Sequence, residues 1–440
     1  MNNVLLIAES ANPEWTSIPL EGWSHGRAIQ ELVGGHLVTQ IRNKGAFDRA
    51  GVAASSYTAI DSEAIARPLS QLGQMLRGGS DKGWTTVTAI QAIAYPYFEH
   101  LVWRAFESRL RAGEFDIVHR ITPLSPTMPS PIASKLRELG IPFVIGPLNG
   151  GVPWPKQFDY ARRREREWLS YVRGAYKLLP GYRSTRRNAA AIICGSKATL
   201  EQMPGWCRDK CVYIPENAID PARFPEPGPK PSPLPLRVAF VGRLVPYKGA
   251  DMLLEAAAPL VRAGSVVVDI IGDGPELCRL REIIREERIE AGVELAGWVP
   301  HATLHKRLAA AHVFGFPSVR EFGGAVVLEA MALGLVPVVL NYGGPAELVT
   351  PETGFALPLG TRAQVIARFH EALKDLVNGP QLISEMGSIG RERVMRFFTW
   401  EAKARQVQSV YSWITGKARK PNLESEFRSM KYSQPLIKDS

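Results

Sequence analysis

Short apolar runs alternate with helix-periodic segments through the second half of the chain. The runs begin at Leu236, Val266, Val293, Val313 and Val336, and most of them end in a turn that contains glycine. Such runs predict buried strands, and apolar residues at i, i+3 and i+4 between them predict helices. Residues 236–357 are therefore expected to form a parallel sheet that is covered by helices on both faces.

The first half shows the same alternation with weaker signals. Apolar runs that begin at Asn3, Phe115, Phe143, Ala190 and Val212 predict five further strands. Residues 21–32 are predicted as a glycine-bearing loop that runs into a helix capped near residue 24. Both halves therefore belong to the α/β class.

Prolines at alternate positions mark the boundary between the two halves. They occupy residues 225, 227, 229, 231, 233 and 235. This spacing excludes a helix or a central strand and predicts an extended, stiff tether. We therefore predict one domain over residues 1–224, a Pro-rich linker over 225–235 and a second domain over 236–399.

Composition agrees with two globular domains. The chain has 440 residues, more than one hydrophobic core usually serves, and 45% of them are hydrophobic. No apolar run reaches the roughly 18 residues that suggest a membrane span. The first residues lack the basic region of a signal peptide, and the four cysteines show no metal or disulfide spacing. We therefore expect a cytoplasmic protein.

The formal net charge of +10 indicates an anionic partner. Nucleotide-sugar diphosphates and anionic lipids would suit it, whereas nucleic acid is disfavoured because no recognisable binding module is present. Residues 161–187 combine arginines with aromatic residues at helical spacing. Such a helix either lies on an anionic membrane surface or packs on the sheet and leaves a solvated basic face.

Two glutamates eight positions apart flank a pair of glycines. Glu321 precedes Gly323 and Gly324 in a predicted loop, and Glu329 lies in the helix predicted to open at about Gly324. The glycines let the backbone approach a ligand, and the free N–H groups of the helix start suit a phosphate or a sugar oxygen. The two oxygens of Glu329 match a vicinal diol such as that of ribose. The alternative is a solvated loop acid followed by a helix-surface acid.

Two cations follow the first strand of the second half. Gly242 ends that strand, and Arg243 and Lys248 stand in the turn before the next helix. Ligands of open α/β sheets bind at this carboxyl edge. There Arg243 can donate two hydrogen bonds to phosphate oxygens, and Lys248 supplies a compact positive charge. The alternative is two solvated loop cations.

The glutamate segment resembles the Glu-x7-Glu signature of retaining GT-B glycosyltransferases, in particular glycosyltransferase family 4, also called glycosyl transferases group 1. The two cations fall in the order along the chain that this family shows. The resemblance implies a GT-B fold, in which two Rossmann-like parallel-sheet domains face a central cleft. It also implies that a last helix, at about residues 400–416, returns to the first domain. Residues 417–440 are polar and are predicted as a mobile tail.

The resemblance also implies a role for each motif residue. Glu321 would contact the donor sugar, Arg243 and Lys248 would hold the diphosphate, and Glu329 would bind the ribose hydroxyls. The turn at Phe322, Gly323 and Gly324 would meet the sugar and diphosphate through its backbone, while Gly242 and Gly272 would line the nucleotide pocket.

Four further residues are candidates with open alternatives. Trp298 is expected either near the base or in the core. Gly22, followed here by Trp23, stands where the family usually has a Gly-Gly pair near the diphosphate. His119 resembles the family histidine that touches the donor sugar, although a structural histidine is the alternative, and His25 is a second candidate.

The implied function is retaining transfer of a sugar from a nucleotide-diphosphate sugar to an acceptor, expected to be a lipid-linked or growing saccharide in polysaccharide or glycoconjugate biosynthesis. No Asp-x-Asp motif occurs, so no metal or other cofactor is expected. The resembling family is retaining but has no settled nucleophile, so front-face attack is favoured. Such an enzyme would work at the inner face of the membrane if residues 161–187 contact it.

Three rival functions remain open. A nucleotide-sugar epimerase could use the same architecture, and a non-catalytic protein could bind a nucleotide sugar on it. A dinucleotide oxidoreductase would need a full glycine fingerprint, which Pro275 interrupts after Gly272 and Gly274.

Overall fold

The computed structural model describes residues 3–68, 84–150, 152–159, 162, 177, 180–226, 228 and 232–428. Within these residues, thirteen strands form two sheets of seven and six strands, and every strand pair is parallel. The predicted α/β class with two parallel sheets is therefore confirmed.

The first sheet has the strand order β3-β2-β1-β4-β5-β6-β7. Its strands are β1 Val4–Ala8, β2 His36–Gln40, β3 Tyr57–Ile60, β4 Ile117–Thr122, β5 Phe143–Leu148, β6 Ala191–Cys194 and β7 Cys211–Tyr213. Along β1, Val4 and Leu6 belong to one buried cluster, while Leu5 and Ile7 belong to another. Successive side chains of a strand point to opposite faces, so both faces of this sheet are covered.

The second sheet has the strand order β10-β9-β8-β11-β12-β13. Its strands are β8 Leu236–Val241, β9 Val266–Ile271, β10 Val293–Gly297, β11 Val313–Phe316, β12 Val336–Leu340 and β13 Phe355–Leu357. The strand order reverses between β8 and β11: β9 and β10 lie on one side of β8, and β11, β12 and β13 lie on the other. Ligands of open α/β sheets bind at such a switch point, outside the carboxyl ends of the strands.

Helices connect the strands of both sheets. Those up to β7 are α1 Ile18–Val33, α2 Lys44–Arg49, α3 Trp84–Arg111, α4 Ile132–Glu138, α5 Pro180–Asn188 and α6 Lys197–Glu201. Those after β8 are α7 Ala250–Arg262, α8 Leu277–Glu286, α9 His301–Leu308, α10 Ala325–Ala332, α11 Gly344–Leu348, α12 Arg362–Asn378, α13 Gln381–Phe397, α14 Trp400–Ile414 and α15 Leu423–Arg428. Among the residues described, no helix is both long enough and apolar enough to cross a bilayer.

Helix α14 packs along α1 of the first domain. The chain crosses between the domains where Ile219 and Thr399 form a β-bridge, supported by a 2.8 Å hydrogen bond from the Ile219 N–H to the Phe398 carbonyl. Lys403 on α14 is fully buried, and its Nζ has no hydrogen-bond partner among the described residues. Burial lowers the pKa of Lys403 to about 7, although the carboxylates of Glu21 and Glu216 oppose the shift.

Two segments differ from the sequence prediction. Helix α1 begins at Ile18 rather than near residue 24, because a proline in its first turn starts the helix earlier. The predicted tail includes α15, where Phe427 is 5% exposed and its ring lies 5.8 Å from that of Phe398. Residues 429–440, most of 161–179 and part of the Pro-rich linker lie outside the described residues.

Candidate functional site

An ion pair joins two of the predicted residues at the carboxyl edge of the second sheet. Lys248 ends a short 3-10 turn after β8, and Glu321 lies in the loop between β11 and α10. The Lys248 Nζ donates to Glu321 Oε2, and the two side chains are only 16% and 19% exposed. Since water is largely excluded, the attraction between the two charges exceeds that of a surface pair. The structure therefore brings this predicted cation and acid together.

Arg243 extends from the same edge of the sheet. Its side chain is exposed, and no hydrogen bond or ion pair to it occurs in the part of the chain that the structure describes. It follows Gly242, whose carbonyl lies against the Cα of Gly272 at the end of the neighbouring strand β9. The N–H of Gly242 donates to the Ile271 carbonyl at 3.1 Å. The predicted residues Gly242, Arg243 and Gly272 thus form one continuous loop surface with an available guanidinium.

The glycine turn before α10 contacts the first domain. A Cβ on Gly323 would overlap the side chains of Glu216 and Asn217, which follow β7. Gly324 adopts a left-handed conformation, with φ of 78°, at the position that precedes α10. The first domain approaches so closely that position 323 requires glycine. The helix start predicted at about Gly324 is observed.

Glu216 is a buried acid that sequence reasoning did not identify as part of this site. Its side chain is 7% exposed, and Oε2 has no hydrogen-bond partner among the described residues. Burial raises the pKa of Glu216 to about 7, and the nearby carboxylates of Glu321 and Glu347 also raise it. The site therefore contains a carboxyl group that titrates near neutral pH.

A first-domain loop closes over the glutamate loop. The Arg320 guanidinium lies 4.8 Å from the Trp154 ring and 5.1 Å from the Phe322 ring. The Tyr342 hydroxyl donates to the Pro153 carbonyl at 2.8 Å. Phe322 was predicted to contact the ligand through its backbone, but its ring also packs on Arg320, in a side wall to which residues of both domains contribute. No motif predicted this wall, because its members are far apart in the sequence.

Glu329 is held by a histidine. Its Oε1 lies 2.7 Å from Nε2 of His301, the first residue of α9. His301 is in turn contacted by Arg223, whose Nη2 lies 3.0 Å from Nδ1. Trp298, three positions before His301, is 73% exposed, which excludes the core alternative for this residue.

The structure contradicts the site role predicted for His119. The ring is fully buried, with Nδ1 2.6 Å from the Tyr411 hydroxyl and Nε2 2.7 Å from the Gly146 carbonyl oxygen. Burial lowers the pKa of His119 to about 4, so the ring is neutral at physiological pH. Both ring nitrogens are occupied within the core, and His119 therefore supports the packing of α14 on the first sheet.

Two other first-domain candidates are also buried. Gly22 lies inside α1, close to the Ser10 carbonyl, so the predicted glycine loop is wrong at this position. His25 is 1% exposed, and burial lowers its pKa to about 3. Its ring lies 5.9 Å from that of Trp400 on the crossing helix. Within the described residues, no three His, Cys, Asp or Glu side chains could hold a metal ion together.

Comparison with known proteins places the chain in a family. The family model described as "Glycosyl transferases group 1" matches residues 229–393. Alpha-maltose-1-phosphate synthase from Mycolicibacterium smegmatis is 32% identical over 267 residues, which are 55% of this chain and 68% of that protein. The chain belongs to the group 1 glycosyltransferases. A component of the Arabidopsis thaliana phosphatidylinositol N-acetylglucosaminyltransferase is 28% identical to this group 1 chain over 203 residues, 46% of the chain and 43% of the plant protein.

A solved structure resembles the whole group 1 chain. The Anabaena protein HepE, crystallised in complex with UDP, aligns with a TM-score of 0.57 and 15% identity, covering 93% of this chain and 99% of HepE. At this identity the likeness concerns the fold alone. Together with the two parallel sheets, it confirms the predicted GT-B architecture. The match to the plant relative spans less than half of that protein's length.

Proposed function

We propose that this group 1 chain transfers a sugar from a nucleotide-diphosphate sugar to a hydroxyl of an acceptor, with retention at the anomeric carbon and without a metal ion. The observation that carries the proposal is the shielded Lys248–Glu321 pair at the switch point of the second sheet, beside the exposed Arg243. Ligands bind at this position in open α/β sheets, and the two cations suit a diphosphate.

The residues present account for each step of such a transfer. Arg243 and Lys248 hold the diphosphate and neutralise the charge that develops on it as its bond to the anomeric carbon breaks. Glu321, oriented by Lys248, accepts hydrogen bonds from the donor sugar. The acceptor oxygen bonds to the anomeric carbon on the face that the diphosphate leaves, and the departing phosphate oxygen takes the acceptor proton. This front-face path retains configuration and needs no protein nucleophile.

Charge and the family relatives guide the choice of substrates. We propose a lipid-linked or growing saccharide as acceptor, because one relative is named for a phosphatidylinositol substrate and another for a maltose phosphate product. The net charge of +10 also favours an anionic lipid partner, and residues 161–187 remain the segment proposed to contact it. HepE was crystallised with UDP, which makes uridine sugars the first donors to test.

The test is a transfer assay with purified protein. UDP- and GDP-sugars are offered with and without lipid-linked acceptors, and EDTA is added in parallel. Glu321→Ala, Arg243→Ala and Lys248→Ala should each lower turnover by roughly 100-fold or more, as loss of transition-state charge stabilisation does. The exposed residues Glu385 and Arg419 give matched control variants, Glu385→Ala and Arg419→Ala, which should keep full activity.

Each part of the proposal has its own contrary result. Wild-type rates in all three site variants would remove the catalytic assignment. An inverted anomer in the product, seen by proton NMR, would refute retention, and activity lost on adding EDTA would refute metal independence. Conversion of the nucleotide sugar without any acceptor would favour the epimerase. Equal activity on water-soluble and lipid-linked acceptors, without vesicle binding, would remove the membrane proposal.

A further inference from the structure

A chain of polar contacts runs from Arg223, after the last strand of the first sheet, to Glu329. Arg223 ends the short 3-10 turn at Pro221–Arg223 that follows β7, and its Nη2 lies 3.0 Å from His301 Nδ1. His301 Nε2 lies 2.7 Å from Glu329 Oε1 on α10. The Glu329 side chain is 14% exposed, whereas that of His301 is 39% exposed. The carboxylate is thus shielded, and the histidine stands at its outer side.

The contact between His301 and Glu329 has one direction. A carboxylate accepts hydrogen bonds, so Nε2 of His301 carries the hydrogen and donates it to Oε1 of Glu329. The Arg223 Nη2 lies 3.0 Å from Nδ1 and 3.4 Å from Nε2 of the ring, and it lies 3.4 Å from the His301 carbonyl oxygen, to which it can donate. Because it is close to both ring nitrogens and to the backbone of His301, the guanidinium restrains the position of the ring.

This arrangement leaves the carboxylate able to bind a diol. An ionised carboxylate offers about four acceptor positions on its two oxygens, and His301 uses one of them. The bond to Oε1 also restrains rotation of the carboxylate about its last torsion, which is otherwise broad. The direction of Oε2 is thereby set before any ligand arrives, and a ligand bound by a preorganised group loses less freedom.

We propose that His301 is a positioning residue for ribose recognition: it holds the Glu329 carboxylate in the orientation that accepts the vicinal hydroxyls of a nucleoside diphosphate, and Arg223 restrains the histidine ring. The inference rests on the proposed function, because it concerns the nucleotide part of the donor. It adds two residues from outside the glutamate motif, one of which belongs to the segment that follows the first domain's last strand.

The experiment measures binding by calorimetry on the full chain. The probes are UDP, or GDP if it binds more tightly, the corresponding 2′,3′-dideoxynucleoside diphosphate, and inorganic pyrophosphate. We expect His301→Ala to weaken binding of the ribonucleotide by about ten-fold, the effect of losing part of a charged hydrogen bond, and to leave the other two probes unchanged. His301→Gln should restore part of the affinity, because its amide can donate to Glu329.

Two further variants complete the design. Arg223→Ala should weaken ribonucleotide binding by a smaller factor than His301→Ala, since the hydrogen bond from the ring to Glu329 remains while the ring is less restrained. His305 lies one turn later on α9, so His305→Ala is the matched control and should bind all three probes as the wild type does. Recovery in the glutamine variant separates positioning of the carboxylate from a general effect on the fold of α9.

Four outcomes would overturn the inference. Tighter ribonucleotide binding by His301→Ala would show that the histidine competes with the ribose. An equal loss for ribo- and dideoxynucleotides would indicate a structural role only. If the wild type prefers the ribonucleotide over the dideoxynucleotide and His301→Ala keeps the same preference, the inference is rejected while the proposed function stands. Absence of any nucleoside diphosphate binding by the wild type would instead reject the proposed function, and the inference with it.

Discussion

A methyl group on Gly272 should separate the two loops that lie side by side at the carboxyl edge of the second sheet. Gly272 turns the chain at the end of β9 with φ of 147°, a conformation that residues with a Cβ rarely adopt. The added Cβ would lie 3.0 Å from the carbonyl carbon of Gly242 and closer still to its oxygen. The obstacle is backbone, so no side-chain rotation can relieve the contact.

The expected loss of stability follows from three contributions. The unfavourable backbone conformation costs about 1–3 kcal/mol. Displacing the Gly242 loop costs a similar amount, about 1–3 kcal/mol, as overpacking does in a core. Restricting the unfolded chain offsets at most about 1 kcal/mol. A net loss of about 3 kcal/mol in the free energy of unfolding would lower the melting temperature by about 6–12 °C for a domain of this size.

The assay compares Gly272→Ala with Gly242→Ala, in the loop that follows the neighbouring strand β8. A Cβ on Gly242 would meet ring atoms of Phe240 and Phe316 at 3.6 to 3.8 Å, which is ordinary van der Waals contact. Thermal unfolding of both variants, followed by circular dichroism, should show a large drop for Gly272→Ala and a change below about 2 °C for Gly242→Ala. Equal melting temperatures for the two variants would refute the reasoning.

Three other variants test buried groups. His119→Ala should lose about 2–4 kcal/mol of stability in a denaturant titration, yet keep its turnover within about three-fold, and a collapse of turnover alone would restore its catalytic role. Because the pKa of Lys403 falls from 10.5 to about 7 on folding, its destabilising effect is full below pH 7 and disappears towards pH 10.5. The stability advantage of Lys403→Met over the wild type should therefore shrink as pH rises through that window, and a constant difference would contradict it. Phe427→Ala should cost about 3 kcal/mol if α15 is part of the folded structure, and an unchanged melting temperature would indicate a detached tail.

Ten of the thirteen strands could be predicted because parallel strands are buried on both faces, whereas β2, β3 and β13 were not predicted. The sequences of the predicted strands are continuous apolar runs, such as Val4–Ala8, that need no partner to be recognised. The second domain's motifs were also visible, because Lys248 and Glu321 each stand beside a strand end in a short, glycine-bearing segment. The structure brings these two residues together, although their catalytic roles remain predictions.

The rest of the site depends on contacts between distant residues, which a single sequence does not display. The position of His119 at a strand end is compatible with a catalytic role and with a packing role. The residue that distinguishes them, Tyr411, lies 292 positions away in the sequence. Arg223 and His301 are 78 positions apart and carry no shared pattern. In α1, the glycine that suggested a loop lies within a helix, where it allows close packing. Prediction failed wherever tertiary contact, rather than local pattern, determines what a residue does.

The crossing of α14 onto α1 also has a consequence during protein synthesis. Helix α1 is made early, whereas α14, the helix that packs along it, ends at Ile414. At about 5–20 residues per second, the ribosome completes α14 roughly 20–75 seconds after the end of α1. Until then the first domain lacks the helix that covers α1, so the first domain to emerge is the last to be finished.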